Sequence, residues 1–216
     1  MIKGGIDKIN LSTSSFERII TQGSLYVDKT KLIEKFLDTE STVQLIARQR
    51  RLGKSLNMDT LRCFLTDKED LRHLFKGLYI ESSPAWEKAH SLPVFYFDFK
   101  QLQPKTYQRD IYYMICDYID SYCPEDKLSR AAKNYLNSNN YDDAKGLLYL
   151  TESVFRATGK RSCILIDEYD KLLVDSYNSD MSELYEEIRS FEMVLLSSVL
   201  KGNQYLEKAL LTGVMR

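Results

Sequence analysis

Apolar residues are grouped along this chain in two alternating patterns. Short apolar runs read as strands: Thr42-Val43-Gln44-Leu45-Ile46-Ala47, Leu92-Pro93-Val94-Phe95-Tyr96-Phe97-Asp98-Phe99, Ser162-Cys163-Ile164-Leu165-Ile166-Asp167 and Ala209-Leu210-Leu211-Thr212-Gly213. Between them, apolar residues recur at helical spacing. Leu56, Leu61, Phe64 and Leu65 place a helix over 54–66. Ile111, Met114, Ile115, Tyr118, Ile119 and Tyr122 share one face of a helix over 106–122, which Pro124 closes. Further helices are expected over 141–158, stopped by Gly159, and over 183–201, with Leu184, Ile188, Phe191, Leu195 and Val199 on one face and Gly202 as the stop. Shorter helices are expected over 29–37, 71–78 and 127–136, with one helical turn near 14–20. The rest of 1–24, and residues 82–84, 137–140 and 175–182, read as loop. Strands that alternate with helices imply an α/β fold with a parallel sheet and right-handed crossovers. No linker interrupts the chain, so one domain is expected over 1–216, with 1–40 as an N-terminal segment and 41–216 as the core.

The candidate chemistry sits where strands hand over to helices. Gly53-Lys54-Ser55 follows the first apolar strand and opens the next helix. In that context backbone N–H groups face an anion at the helix N-terminus, the lysine reaches terminal phosphates and the serine hydroxyl ligates Mg²⁺. The full phosphate-loop pattern places a glycine five residues before Gly53, and Arg48 stands there. Two readings of the loop follow: Arg48, Arg50 and Arg51 contribute phosphate contacts, or Arg50 and Arg51 form a solvated basic turn.

The second piece is Asp167-Glu168, at the carboxyl end of the most apolar strand, where ligands bind in open α/β sheets. Asp167 is placed to order Mg²⁺ and Glu168 to polarise an attacking water, as ATPases do. No Asn-Lys-x-Asp segment for guanine is present. Thr212 ends the last strand and is either a γ-phosphate sensor or an ordinary strand-end threonine. Asp98 is a further ligand or a turn cap. In Tyr26 to Thr30, Asp28 or Thr30 caps the following helix, or the block lies near the nucleotide base.

Composition narrows the alternatives. The formal net charge is −1, with 44% hydrophobic residues over 216, so no global basic field holds nucleic acid and the chain can bury a substantial core. Cys63, Cys116, Cys123 and Cys163 lack metal-pair spacing, which fits reduced thiols in a cytoplasm. Only His73 and His90 are present, against a zinc or histidine-based site. No apolar run has membrane-spanning length.

The run from Arg48 to Leu56 resembles the Arg-Pro-Arg-Arg-Phe-Gly-Lys-Ser-Leu loop of the AAA-ATPase-like family. Tyr26-Val27-Asp28-Lys29-Thr30, Ile166-Asp167-Glu168-Tyr169-Asp170-Lys171 and Leu211-Thr212-Gly213-Val214-Met215-Arg216 resemble three further blocks of that family, in order along nearly the whole chain. Gln49, Leu52 and Met215 depart from its pattern. The resemblance implies a P-loop NTPase of the glutamate type with Walker A and Walker B segments, binding ATP and Mg²⁺. Its nucleotide-binding set would be Arg48, Arg50, Arg51, Gly53, Lys54, Ser55 and Leu56, its metal set Ser55 and Asp167, and its catalytic set Glu168 and Thr212. It also implies a sheet order of 5-1-4-3-2. On that pattern the fifth strand, the helical lid and a C-terminal domain like the PD-(D/E)XK nucleases are expected to lie outside this chain. Hydrolysis is then expected to be slow or to depend on a partner, with Arg216 the one local candidate for a transition-state arginine. The rival reading is a non-catalytic nucleotide-binding scaffold or switch for an effector domain. The strand over 43–47 would be an apolar sheet edge, open to a second copy of the chain, to aggregation or to cover by residues 1–24.

Overall fold

The computed structural model describes residues 2–3, 13–47, 49, 52–178 and 182–214. In chain order the elements are β1 (Ile2–Lys3), α1 (Phe16–Thr21), β2 (Tyr26–Val27), α2 (Lys31–Asp38), β3 (Val43–Ala47), α3 (Lys54–Leu65), β4 (Val94–Asp98), α4 (Tyr107–Tyr122), α5 (Arg130–Ser138), α6 (Gly146–Thr158), β5 (Ser162–Asp167), α7 (Lys171–Asn178), α8 (Ser182–Leu200) and β6 (Leu206–Gly213). They pack as two units. One takes residues 1–41 and 48–94; the other takes 42–47 and 95–216.

The first unit is built on α3. Its apolar positions Met58, Leu61, Phe64 and Leu65 are all buried, each side chain contributing about 1.5–3 kcal/mol by leaving water. Rings extend this core from Tyr26 through Phe16 and Phe75 to Phe64 and Trp86, with centroids 4.8–6.0 Å apart. The Phe16 N–H donates to Asp59 Oδ2 (2.7 Å) and fixes α1 against α3. After α3 the chain makes 3-10 turns over Arg72–Phe75, Tyr79–Ser82 and Pro84–Lys88. The helix expected over 71–78 is therefore only one such turn, and the turn expected at 82–84 joins two more. Ser83 Oγ accepts from Ala85 N (3.1 Å) and starts the last of them. β1 pairs antiparallel with β2. The segment 1–24 thus contains a short strand, and that strand is paired with β2.

The second unit holds a four-stranded parallel sheet in the order β3-β6-β5-β4. β3 and β5 both run parallel to β6, with Ile46 opposite Thr212 and Ala47 opposite Gly213. β5 is buried at all its residues, as its unbroken apolar run requires. β6 starts at Leu206, earlier than its apolar run suggests, because Leu206 and Lys208 find partners on β5. β3 ends the strand order, and Leu45 is 52% exposed. α4 carries the expected face: Ile111, Ile115 and Ile119 are buried. Its Tyr118 hydroxyl donates to Tyr96 O (2.9 Å) while the ring packs on Phe95 and Phe97. Tyr112 donates to the carbonyls of Tyr135 and Leu136, joining α4 to α5. At Gly146 an added Cβ would stand 2.4 Å from Tyr135 Oη, so only glycine admits that close approach.

Three boundaries differ from the expected ones. α5 starts at Arg130, because Ser129 Oγ accepts from Ala132 N (3.1 Å) and caps it there. α6 starts at Gly146 and leaves 141–145 in a turn, with Asp143 accepting from Lys145 N. Most of the loop expected at 175–182 is helical, as the end of α7 and the start of α8. Lys171 and Asp175 form an ion pair one turn apart, and buried Leu172 anchors α7, so the polar run is its outer face.

Candidate functional site

In the first unit the candidate residues gather at the start of α3. Gly53 is its N-cap at φ 73°, a left-handed conformation that favours glycine. The first helical bond runs from Asn57 N to Gly53 O (3.0 Å). Gly53 has no side chain to accept from the opening N–H groups, and the first turn contains no acid. Lys54 is buried to 9% exposure, and Ser55 and Leu56 are half-buried. Arg48, Arg50, Arg51 and Arg216 lie outside the described residues. A residue without an assigned role also reaches this turn: an added Cβ on Gly53 would stand 3.5 Å from Lys29 Nζ.

Asp28 is not a helix cap. Its Oδ1 accepts from both Thr30 N (2.9 Å) and Thr30 Oγ1 (2.7 Å), and its Oδ2 accepts from Tyr79 N (2.7 Å). Thr30 holds the N-cap position of α2 without a side-chain capping bond; its Oγ1 accepts from Ile80 N (3.1 Å).

In the second unit the carboxyl ends of β4, β5 and β6 bring a group of polar side chains together. Asp167 is 2% exposed, and Thr212 donates its hydroxyl to Asp167 Oδ1. The same oxygen accepts from Glu168 N (3.1 Å), while Tyr96 Oη lies 3.4 Å from Asp167 Oδ2. Glu168 is half-buried and sits at φ 52°. For a glutamate this backbone costs on the order of 1–3 kcal/mol, a strain that accompanies functional turns. The turn is held by Tyr169 N donating to Thr212 O (3.0 Å) and Lys171 N to Glu168 O (2.9 Å). Asp98 caps the turn after β4 by accepting from Lys100 N (3.0 Å). Burial pushes its carboxyl up, and the nearby Asp167 adds to that.

Two buried acids stand behind this turn. Asp170 accepts from Val214 N at Oδ2 (2.7 Å). Glu192, on the inner face of α8 with Ile188, Leu195 and Val199, has a buried Oε1 without a hydrogen-bond partner among the described residues. Burial first, and then the charge of Asp170, pushes its carboxyl up to about 8. The sequence does signal Glu192, as a single acid on an apolar stripe. Tyr96 and Lys29 carry no such mark. Among the described residues no group of three or more His, Cys, Asp or Glu side chains is arranged to hold a metal.

The profile of the family described as "Predicted AAA-ATPase" matches residues 10–216. The chain belongs to the AAA-ATPase-like family. The match includes both groups of polar residues. A protein from Azotobacter chroococcum mcd 1, described as "Uncharacterized protein in vnfD 5'region", is 29% identical over 191 residues. The alignment covers 88% of this AAA-ATPase-like chain and 34% of that relative, so the chain spans about a third of the relative's length. No solved structure matches. Among the described residues no helix is long and apolar enough to cross a membrane.

Proposed function

We propose that this AAA-ATPase-like domain binds ATP with Mg²⁺ and hydrolyses it slowly or only with a partner. The observation that carries the reading is the carboxyl-end group in which Asp167 accepts from Thr212 and Glu168 follows in a strained turn, in a chain of this family. The opening N–H groups of α3 receive phosphate, Lys54 neutralises it, and Leu56 and the loop arginines Arg48, Arg50 and Arg51 complete the cradle. Ser55 and Asp167 would hold the metal, a hydroxyl and a carboxylate being the oxygen donors that Mg²⁺ takes. The ion would neutralise charge on the transferring phosphoryl group. Glu168 orients and deprotonates the attacking water, and Thr212 holds Asp167 in place while sensing the terminal phosphate. For the sheet we propose the order 5-1-4-3-2. β3, β6, β5 and β4 then take places 1, 4, 3 and 2, and place 5 falls beside β3. The edge of β3 is suited to a further strand, whether from an effector domain or from a second copy.

One observation favours a second reading, a nucleotide-holding scaffold. Thr212 is 1% exposed, with its hydroxyl committed to Asp167 and not to solvent.

Titration of a labelled ATP analogue with Mg²⁺ tests the binding step. Lys54→Ala is expected to weaken binding about 10- to 100-fold, the scale of one charged hydrogen bond lost. Equal binding by both proteins would overturn the site. Turnover below ~1 s⁻¹ is expected, and Glu168→Gln should abolish it while retaining nucleotide. Unchanged turnover and retention in Glu168→Gln would favour the scaffold.

A further inference from the structure

Lys29 of the first unit brings a second lysine to the start of α3. Its side chain is exposed, and among the described residues its ammonium has no carboxylate partner. The oxygens of the adjacent Asp28 accept instead from Thr30 and Tyr79. Thr30, on the other side, is fully buried and tied to Ile80 N. The Lys29 carbonyl accepts from Leu32 N (2.9 Å). The backbone of Lys29 is thus held on both sides, and its Nζ lies 3.5 Å from a Cβ built on Gly53.

That location is electrostatically unfavourable unless an anion is present. A helix N-terminus carries roughly half a positive charge, so a cation beside it is disfavoured. Here Lys29 approaches the cap residue, Lys54 is the first helical residue, and no acid lies in the first turn. A chain of phosphates would be attracted by the helix N-terminus and by both lysines, and would offset their mutual repulsion.

We propose that Lys29 is a second phosphate-binding cation of the nucleotide site, held at Gly53 by the Asp28–Thr30 clamp. This rests on the ATP-binding reading above and assigns the Tyr26–Thr30 block to the phosphates, not to the base or to a helix cap. Asp28 and Thr30 are positioning residues; Lys29 touches the ligand.

The test compares ATP and inorganic tripolyphosphate as ligands for wild type, Lys29→Met, Lys29→Arg and Lys54→Ala. Lys29→Met keeps the apolar stem, and its unfolding midpoint without ligand should equal or slightly exceed that of wild type, because the change removes only an exposed cation from the helix N-terminus. Lys29→Met is expected to bind both ligands about tenfold more weakly, and Lys29→Arg within about twofold of wild type. Wild-type affinity for ATP in Lys29→Met would overturn the proposal. So would a loss confined to ATP with tripolyphosphate unaffected, since that marks a contact to the nucleoside. If wild type and Lys54→Ala bind ATP equally, the ATP-binding reading itself fails, a result distinct from a failure at Lys29 alone.

Discussion

Replacing Glu192 with glutamine is expected to stabilise the fold by about 2 kcal/mol at pH 8 and by almost nothing near pH 4. Burial and the neighbouring Asp170 move the Glu192 carboxyl from its ordinary value of 4.5 up to about 8. Between those values the unfolded chain releases this proton while the folded chain keeps it. The folded state therefore binds more protons, and stability falls as pH rises through the window. Below about 4.5 both states are protonated and the effect vanishes. The full shift corresponds to a larger number than 2 kcal/mol; relaxation of the site and the cost of burying an amide reduce it. Urea unfolding of both proteins at pH 4, 6 and 8 measures the difference. A gap that stays constant with pH, or a variant less stable at pH 8, would show that Glu192 is not buried in its neutral form.

Gly213→Val is expected to cost about 4 kcal/mol and to lower the melting temperature by roughly 10 °C. An added Cβ there would stand 2.5 Å from the Tyr169 ring and 2.9 Å from Asp170 Oδ1. The Tyr169 backbone is fixed by its bond to Thr212 O, so the ring has little freedom to retreat. Displacing Asp170 breaks its bond from Val214 N and leaves a buried carboxylate short of a donor, close to a second acid. Overpacking and the lost charged hydrogen bond act at the same point, so the loss exceeds either alone. Gly213→Ala should lie between. Thermal unfolding decides: a loss below 1 kcal/mol for the valine variant would mean that the turn after β5 yields easily.

Much of the second unit is legible in the sequence because its elements obey one local rule each. β5 is unbroken in apolar character and is buried throughout; the stripe Ile188, Phe191, Leu195, Val199 lies inward as its spacing demands. α7 is hidden because, among its residues 171–177, Leu172 and Ser176 alone are fully buried, and a helix with so narrow an inner face reads as loop. The 3-10 turns of the first unit escape for a different reason. Contacts far apart in sequence hold them, such as Tyr79 N to Asp28 and the Tyr79 and Ser83 hydroxyls to Glu34, and no periodicity encodes those. Gly53-Lys54-Ser55 and Asp167-Glu168 announce their chemistry by residue type at strand ends. The reach of Lys29 to Gly53 depends on how the Asp28–Thr30 turn is clamped, which is a property of the folded unit alone.

The pairing of β3 sets a schedule for synthesis. Val43–Ala47 is made well before its only strand partner among the described residues, β6, from which most of the described chain separates it. At about 5–20 residues per second, a ribosome takes on the order of ten seconds or more to deliver that partner. Throughout that interval an apolar strand with no proline is exposed to whatever else is nascent nearby. Stalled chains ending before Leu206 should therefore be cut by protease within 42–47, and chains extended through Val214 should resist. Equal resistance in both would mean that β3 finds shelter before its partner arrives. Nascent-chain holdases are thus expected to govern the yield of this protein more than its final stability does.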